Sequence, residues 1–318
     1  MRRVLLLATG DVMAYPSGPG CTGLATGADL LAALPRRPDA DVVVEDVPAE
    51  PSWDTSPSTM LRLARSARSA LLDEGFDGVV VTHGLDTLEE TAFLADLLAG
   101  PAAHLGGLVF TGALRPLDGP GALADALAAA ADPALRGVGA VACLDGVLHA
   151  ARWVTLADAA GDGPAFSSAP FPELGRVADG RVTTAAAPPP RPPDPRGDPE
   201  SQVALIKTYP EMEPGLLSAV VDAGARGIVL EGTGMGNVPV GLLSTIAELT
   251  EWDIPVVVAS RARTGPAGLG DLPYGHGMAA KVGAVGARGL APVKARGALM
   301  AALGGGGREA VRDYFARL

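Results

Sequence analysis

Asp11 and Asp86 are carboxylates that could do acid–base chemistry, lying in the loops Thr9–Ser17 and Thr82–Thr87 that follow the apolar runs Val4–Ala8 and Gly78–Thr82. When a fold brings two such carboxylates together their proton affinities are pushed apart, which leaves one acid and one base for proton transfer. Taken singly, each is also an ordinary turn-former, and Asp86 stands where it could cap the helix that follows. Ser52, behind Pro51, offers a hydroxyl that could either contact a ligand or cap its own loop. The histidines offer less: His83 belongs to the Asp86 turn, while His104, His149 and His276 show no metal-ligand spacing and read as surface or loop residues. No metal is expected, since Cys21 and Cys143 likewise have neither ligand spacing nor the density of a disulfide scaffold. Two lone cysteines fit a reducing, cytoplasmic setting.

The elements that must hold these loops follow from short apolar runs that recur along the chain: Val4–Ala8, Val42–Val47, Gly78–Thr82, Gly107–Thr111, Gly139–Leu144 and, later, Gly227–Glu231 and Val256–Ser260. Each is followed by a turn and a segment of helical periodicity, among them Pro57–Glu74, Asp86–Leu98 and Gly121–Ala131. Uninterrupted apolar runs alternating with helices are the mark of a parallel sheet covered on both faces, so a doubly wound α/β architecture is expected. Ligands of such sheets bind beyond the carboxyl ends of the strands. The loops that matter are therefore Thr9–Ser17, Pro51–Thr55, Thr82–Thr87, Thr111–Pro120 and Leu144–Asp158.

With 318 residues, 48% of them hydrophobic, the chain can build two cores. The proline-rich stretch Ala185–Pro199 lacks the backbone donors that a helix or inner strand needs. The expected division is thus a larger N-terminal domain over 1–184, a linker over 185–204 and a smaller α/β domain over 205–318.

Read in order, the loops resemble the motifs of the bacterial-type L-asparaginase family over the whole chain. Ala8-Thr9-Gly10-Asp11-Val12-Met13-Ala14 resembles that family's first signature, A-T-G-G-T-I-A, and Thr82-His83-Gly84-Leu85-Asp86-Thr87-Leu88-Glu89-Glu90-Thr91-Ala92 its second, T-H-G-T-D-T-M-E-E-T-A. Softer matches fall at the family's intervals: Ser52 and Asp54 in the substrate loop, Thr111–Pro120 with Leu114, Trp153-Val154-Thr155-Leu156 against D-V-T-K, and Glu231–Asn237 in the second domain. The resemblance implies a two-domain fold with a Rossmann-like or flavodoxin-like first domain. It also implies a homotetramer of two close dimers, or a dimer, in which a neighbour's second domain, near Asn237 and Tyr274, completes the cleft.

It implies, further, two nucleophilic threonines, an aspartate and a lysine acting on a side-chain amide, and here the sequence departs. Val12 and Leu85 replace the threonines, and Leu156 replaces the lysine. A hydroxyl nucleophile with an activating base is what such covalent catalysis requires. Losing either member of such a unit costs about 10⁴ to 10⁶ in turnover, so essentially no asparaginase activity by that route is expected. Asp86 remains where the family holds an ammonium and Ser52 where it holds a carboxylate, while Asp11 replaces a glycine and places a second carboxylate within range of Asp86. His83 has a structural role in the family.

Val12, Met13, Leu85, Leu156 and Trp53 would line a cavity suited to a larger, more apolar ligand. Equally, they could have closed into additional core. Tyr15, Cys21 and Thr22 lie in the segment that serves the family as a lid, where a hydroxyl could still act. No organic cofactor is implied, because no phosphate-cradling helix entry with its ribose acid occurs. The net charge of −11, with no basic cluster, disfavours nucleic acid and anionic membrane surfaces, and no run approaches the roughly 18 apolar residues of a membrane span. Three functions stay open: a repurposed enzyme for proton transfer, cyclisation or rearrangement of an apolar metabolite, in a biosynthetic role; a ligand-binding pseudoenzyme; and a residual amidohydrolase.

Overall fold

The computed structural model describes residues 1–15, 23–36, 38–160, 164–264, 268–270, 272 and 275–318. Cys21, Thr22 and Tyr274, considered above, lie outside the described residues. The chain forms two compact units, Met1–Arg191 and Pro192–Leu318.

The first unit begins with β1 (Arg2–Ala8), α1 (Gly27–Ala32), β2 (Ala40–Asp46), α2 (Pro57–Leu72), β3 (Gly78–Thr82), α3 (Leu88–Ala99), β4 (Gly107–Thr111), α4 (Gly119–Ala131) and β5 (Ala140–Leu144). It continues with β6 (Val147–Ala150), β7 (Thr155–Leu156), β8 (Phe166–Ser167), β9 (Gly175–Ala178) and β10 (Arg181–Thr184). Its large sheet runs β10-β9-β6-β5-β4-β3-β1-β2. From β2 to β5 the strands are parallel, and β3, β4 and β5 are buried at every residue because helices cover both faces. Val4, Leu6, Val80, Val109 and Val141 of the sheet meet Leu123 and Leu127 of α4 in one apolar cluster.

Beyond β5 the sheet turns antiparallel through β6, β9 and β10, so it is mixed rather than wholly parallel. The cause is local: Asp145-Gly146 and Asp179-Gly180 take positive φ at both residues, and such two-residue turns return the chain directly along its neighbour. Strand β1 also starts two residues before the expected Val4, since Arg2 is anchored to Asp77 by its guanidinium at 2.8 Å and Arg3 by its N–H at 3.0 Å. Helix α3 starts at Leu88 with Thr87 in the cap position. Asp86 therefore does not cap it, contrary to expectation.

The second unit contains β11 (Val203–Lys207), α5 (Gly215–Asp222), β12 (Gly227–Gly232), α6 (Leu243–Glu251), β13 (Val256–Ser260), α7 (Met278–Lys281), β14 (Val285–Gly286), α8 (Pro292–Leu303) and α9 (Arg308–Arg317). Its four strands are parallel in the order β11-β12-β13-β14. Ile228, Leu230, Val256 and Val258 of the sheet pack with Leu217, Ile246 and Leu249 of the helices. No described helix is long and apolar enough to cross a membrane.

Candidate functional site

The order β2-β1-β3-β4-β5 reverses between β1 and β3, and in an open parallel sheet the loops that splay apart at such a reversal form the ligand crevice. Both acid-bearing turns leave the sheet at this point. Their bases are tied together by two buried bonds: the Thr9 N–H donates to Thr82 Oγ1 at 3.1 Å, and the Thr9 hydroxyl donates to the Thr82 carbonyl at 2.7 Å.

Above that clamp, Ser52 joins the two acids. Asp11 Oδ1 accepts the Val12 N–H at 2.6 Å, opening a short 3₁₀ turn over Val12–Ala14, and Asp11 Oδ2 accepts the Ser52 N–H at 3.0 Å. The Ser52 hydroxyl donates to Asp86 Oδ2 at 2.5 Å, and the Ser52 carbonyl accepts the Thr87 hydroxyl at 2.6 Å. Gly84 makes this convergence possible, because a Cβ there would collide with the Asp11 carboxylate and with Ser52 Oγ. Ser52 is 1% exposed, Asp11 is half-buried and Asp86 faces solvent. Among the described residues neither acid is in an ion pair.

His83 lies beneath the turn and is fully enclosed. Burial holds its pKa below the usual 6.5, against the opposing pull of Asp11 and Asp86. Its Nδ1 meets the Gly84 carbonyl at 2.7 Å, which can only accept, so the neutral ring carries its proton on Nδ1. Nε2 then accepts the Thr91 hydroxyl at 2.9 Å. The ring braces the turn and α3 against each other.

The apolar residues of the two turns divide into two groups. Met13 and Leu85 are enclosed, at 7% and 6% exposure, and Leu85 packs so closely over Gly112 that a Cβ there would strike it. Val12 and Leu156 are half-buried, whereas Tyr15, Leu114 and Trp53 are exposed, Trp53 at 67%. Leu156 sits in β7, where its N–H and the Thr155 hydroxyl both reach Glu89 Oε1, at 3.4 and 2.7 Å. Glu89 and Thr87 were not singled out in the sequence, although both stand in the turn motif with Asp86. Asn237 belongs to the second unit, where its amide Nδ2 meets His276 Nδ1 at 2.8 Å and its Oδ1 accepts the Gly277 N–H at 2.9 Å. Among the described residues no group of His, Cys, Asp and Glu is arranged to hold a metal ion.

Comparison with known families matches residues 3–190 to the asparaginase N-terminal domain and 202–315 to the glutaminase/asparaginase C-terminal domain. The chain belongs to the asparaginase family. Within it, the "Probable L-asparaginase" of Deinococcus radiodurans is 35% identical, over 98% of this chain and 97% of that protein. The "L-asparaginase 2" of Escherichia coli is 30% identical over 86% of this chain and 82% of its own length. A crystal structure titled "Probable Cytoplasmic L-asparaginase", from Campylobacter jejuni, superposes over the whole of both chains with a TM-score of 0.83 and 29% identity. The asparaginase-family fold thus accounts for both units.

Proposed function

We propose that this asparaginase-family protein keeps a small-molecule cleft at the ends of β1 and β3 but no longer hydrolyses amides there. The observation that carries the reading is a division of labour. The positions resembling the family's hydroxyl and amine groups hold only carbon side chains, while Asp86 remains open to solvent beside them. Asp11, with both oxygens on backbone N–H groups, positions Ser52. Asp86 is the carboxylate that meets the ligand and exchanges a proton with it, chemistry suited to proton transfer, cyclisation or rearrangement of an apolar-bodied metabolite. A homotetramer, with the neighbour's second unit near Asn237 approaching each cleft, is part of this proposal, and a monomer in sedimentation would contradict it.

One observation favours residual hydrolysis instead. Ser52 Oγ and Asp86 form a hydroxyl–carboxylate pair at 2.5 Å, the geometry of a nucleophile with its base. Enclosure counts against it, because Ser52 is 1% exposed as a residue and has little surface to offer a substrate amide.

Ammonia release from asparagine and glutamine at high enzyme concentration separates the two. The proposal expects a rate about 10⁴-fold or more below ordinary amide hydrolysis. It is overturned if release is fast, and loss of that release in Ser52→Ala would then assign it to the serine.

A further inference from the structure

Ser52, 1% exposed, carries two donors beneath the cleft, its N–H and its hydroxyl, and the chain's own acids take both. The N–H goes to Asp11 Oδ2 at 3.0 Å and the hydroxyl to Asp86 Oδ2 at 2.5 Å. The next donor along, the Val12 N–H, is held by Asp11 Oδ1 at 2.6 Å. A carboxylate arriving here would compete with Asp11 for the two N–H groups and with Asp86 for the hydroxyl. It would also meet two aspartates that, among the described residues, no cation neutralises. Like charges brought together without a counter-ion are a strong device for rejecting a ligand. An ammonium meets the opposite field, with the solvent-facing Asp86 to receive it.

We infer that Asp11 is an internal carboxylate standing in for that of a ligand, so that the cleft selects amines lacking an α-carboxylate and rejects the matching amino acids. The inference rests on the reading of this cleft as a small-molecule site. Asp11 is then a specificity-determining residue: it withholds the Ser52 N–H and adds a negative charge. Val12 beside it and Trp53 beside Ser52 supply apolar surface for the carbon skeleton of the amine.

Paired ligands test this on the full-length protein at neutral pH by titration calorimetry: 3-aminopropanamide against asparagine, 2-phenylethylamine against phenylalanine, and 3-methylbutylamine against leucine. At least one amine is expected to bind about tenfold or more tightly than its amino acid. Asp11→Gly frees the Ser52 N–H and removes one charge, and should shrink or reverse the ratio. Asp11→Asn keeps an oxygen acceptor without the charge and should lie between, with thermal melting used to verify that both variants fold. Amino acids binding the unaltered protein as well as amines do, or a ratio untouched in a folded Asp11→Gly, would overturn the inference while leaving the cleft a binding site. Binding of neither class would overturn the cleft reading itself, and the inference with it.

Discussion

Asp96, in α3, lies with its carboxylate between the guanidinium of Arg191 and the N–H of Ala140, whose bond is 2.7 Å, whereas Asp11 and Asp86 converge on Ser52 with, among the described residues, no ion-pair partner. Arg191 also donates to the Asp96 carbonyl at 2.8 Å, so one side chain from the proline-rich stretch Ala185–Pro199 fastens that segment to α3. Burial pushes the Asp96 carboxyl up, and Arg191 and Ala140 draw it only partly back. A fold that encloses an acid for architecture surrounds it with charge and donors, since a buried charge without them is costly. On the proposed reading, Asp86 is left at the surface for a ligand to supply its counter-charge.

Removing the counter-charge at Asp96 sharpens the contrast most. Arg191→Ala leaves the buried carboxylate without its ion-pair partner, with the Ala140 N–H and the charge of Arg152 remaining, and is expected to cost about 3 kcal/mol in chemical unfolding at neutral pH. The sign of its pH dependence follows from the raised pKa. Between the ordinary aspartate value of 3.8 and the higher folded value the native state binds the extra proton, so this group's contribution falls as pH rises through that interval. Loss of Arg191 widens the interval, and the penalty should shrink as the solution is acidified. A penalty constant with pH would mean that packing, not charge, is what Arg191 provides.

Thr91→Val probes the neutral brace under the cleft. It strips the buried His83 Nε2 of its donor, for about 1 to 3 kcal/mol. His83 has a lowered pKa, so its own contribution is full above 6.5 and is lost as pH falls toward the folded value, the opposite slope to that of Asp96. Gly84→Ala should also cost about 1 to 3 kcal/mol by overpacking, but it pushes Asp11 and Ser52 apart and should abolish ligand-induced stabilisation, which Thr91→Val should leave in place.

The contrast between the two kinds of acid was only half legible beforehand. β3 and β4 match their sequence boundaries because five consecutive buried residues leave no ambiguity of face. β6, β9 and β10 were missed: they are four residues each, and their clearest sign, an Asp-Gly pair at 145–146 and again at 179–180, was not weighed as a hairpin turn. In the cleft, resemblance to the asparaginase signatures singled out Ser52 and Asp86, and a departure from them singled out Asp11. That both oxygens of Asp11 turn onto backbone N–H groups could not be read, since one of those groups belongs to a residue 41 positions away. Arg191 reads as one more polar residue among prolines until α3 brings Asp96, 95 positions earlier, against it.

The smallest expected effect on stability decides the most about the cleft. Asp86 faces solvent, and among the described residues its side chain bonds to the Ser52 hydroxyl alone, a donor that an amide oxygen can accept as well. Asp86→Asn should therefore change unfolding stability by about 0.5 kcal/mol or less, in line with exposed positions generally, and can even stabilise by relieving the charge of Asp11 nearby. Its effect on ligands should be large by comparison, because the cation loses its solvent-facing partner: the thermal shift given by a bound amine should disappear. If instead Asp86→Asn unfolds as readily as Arg191→Ala while amines still shift its melting, then Asp86 is a structural acid like Asp96, and the counter-charge rule that separates the two places in this molecule does not hold.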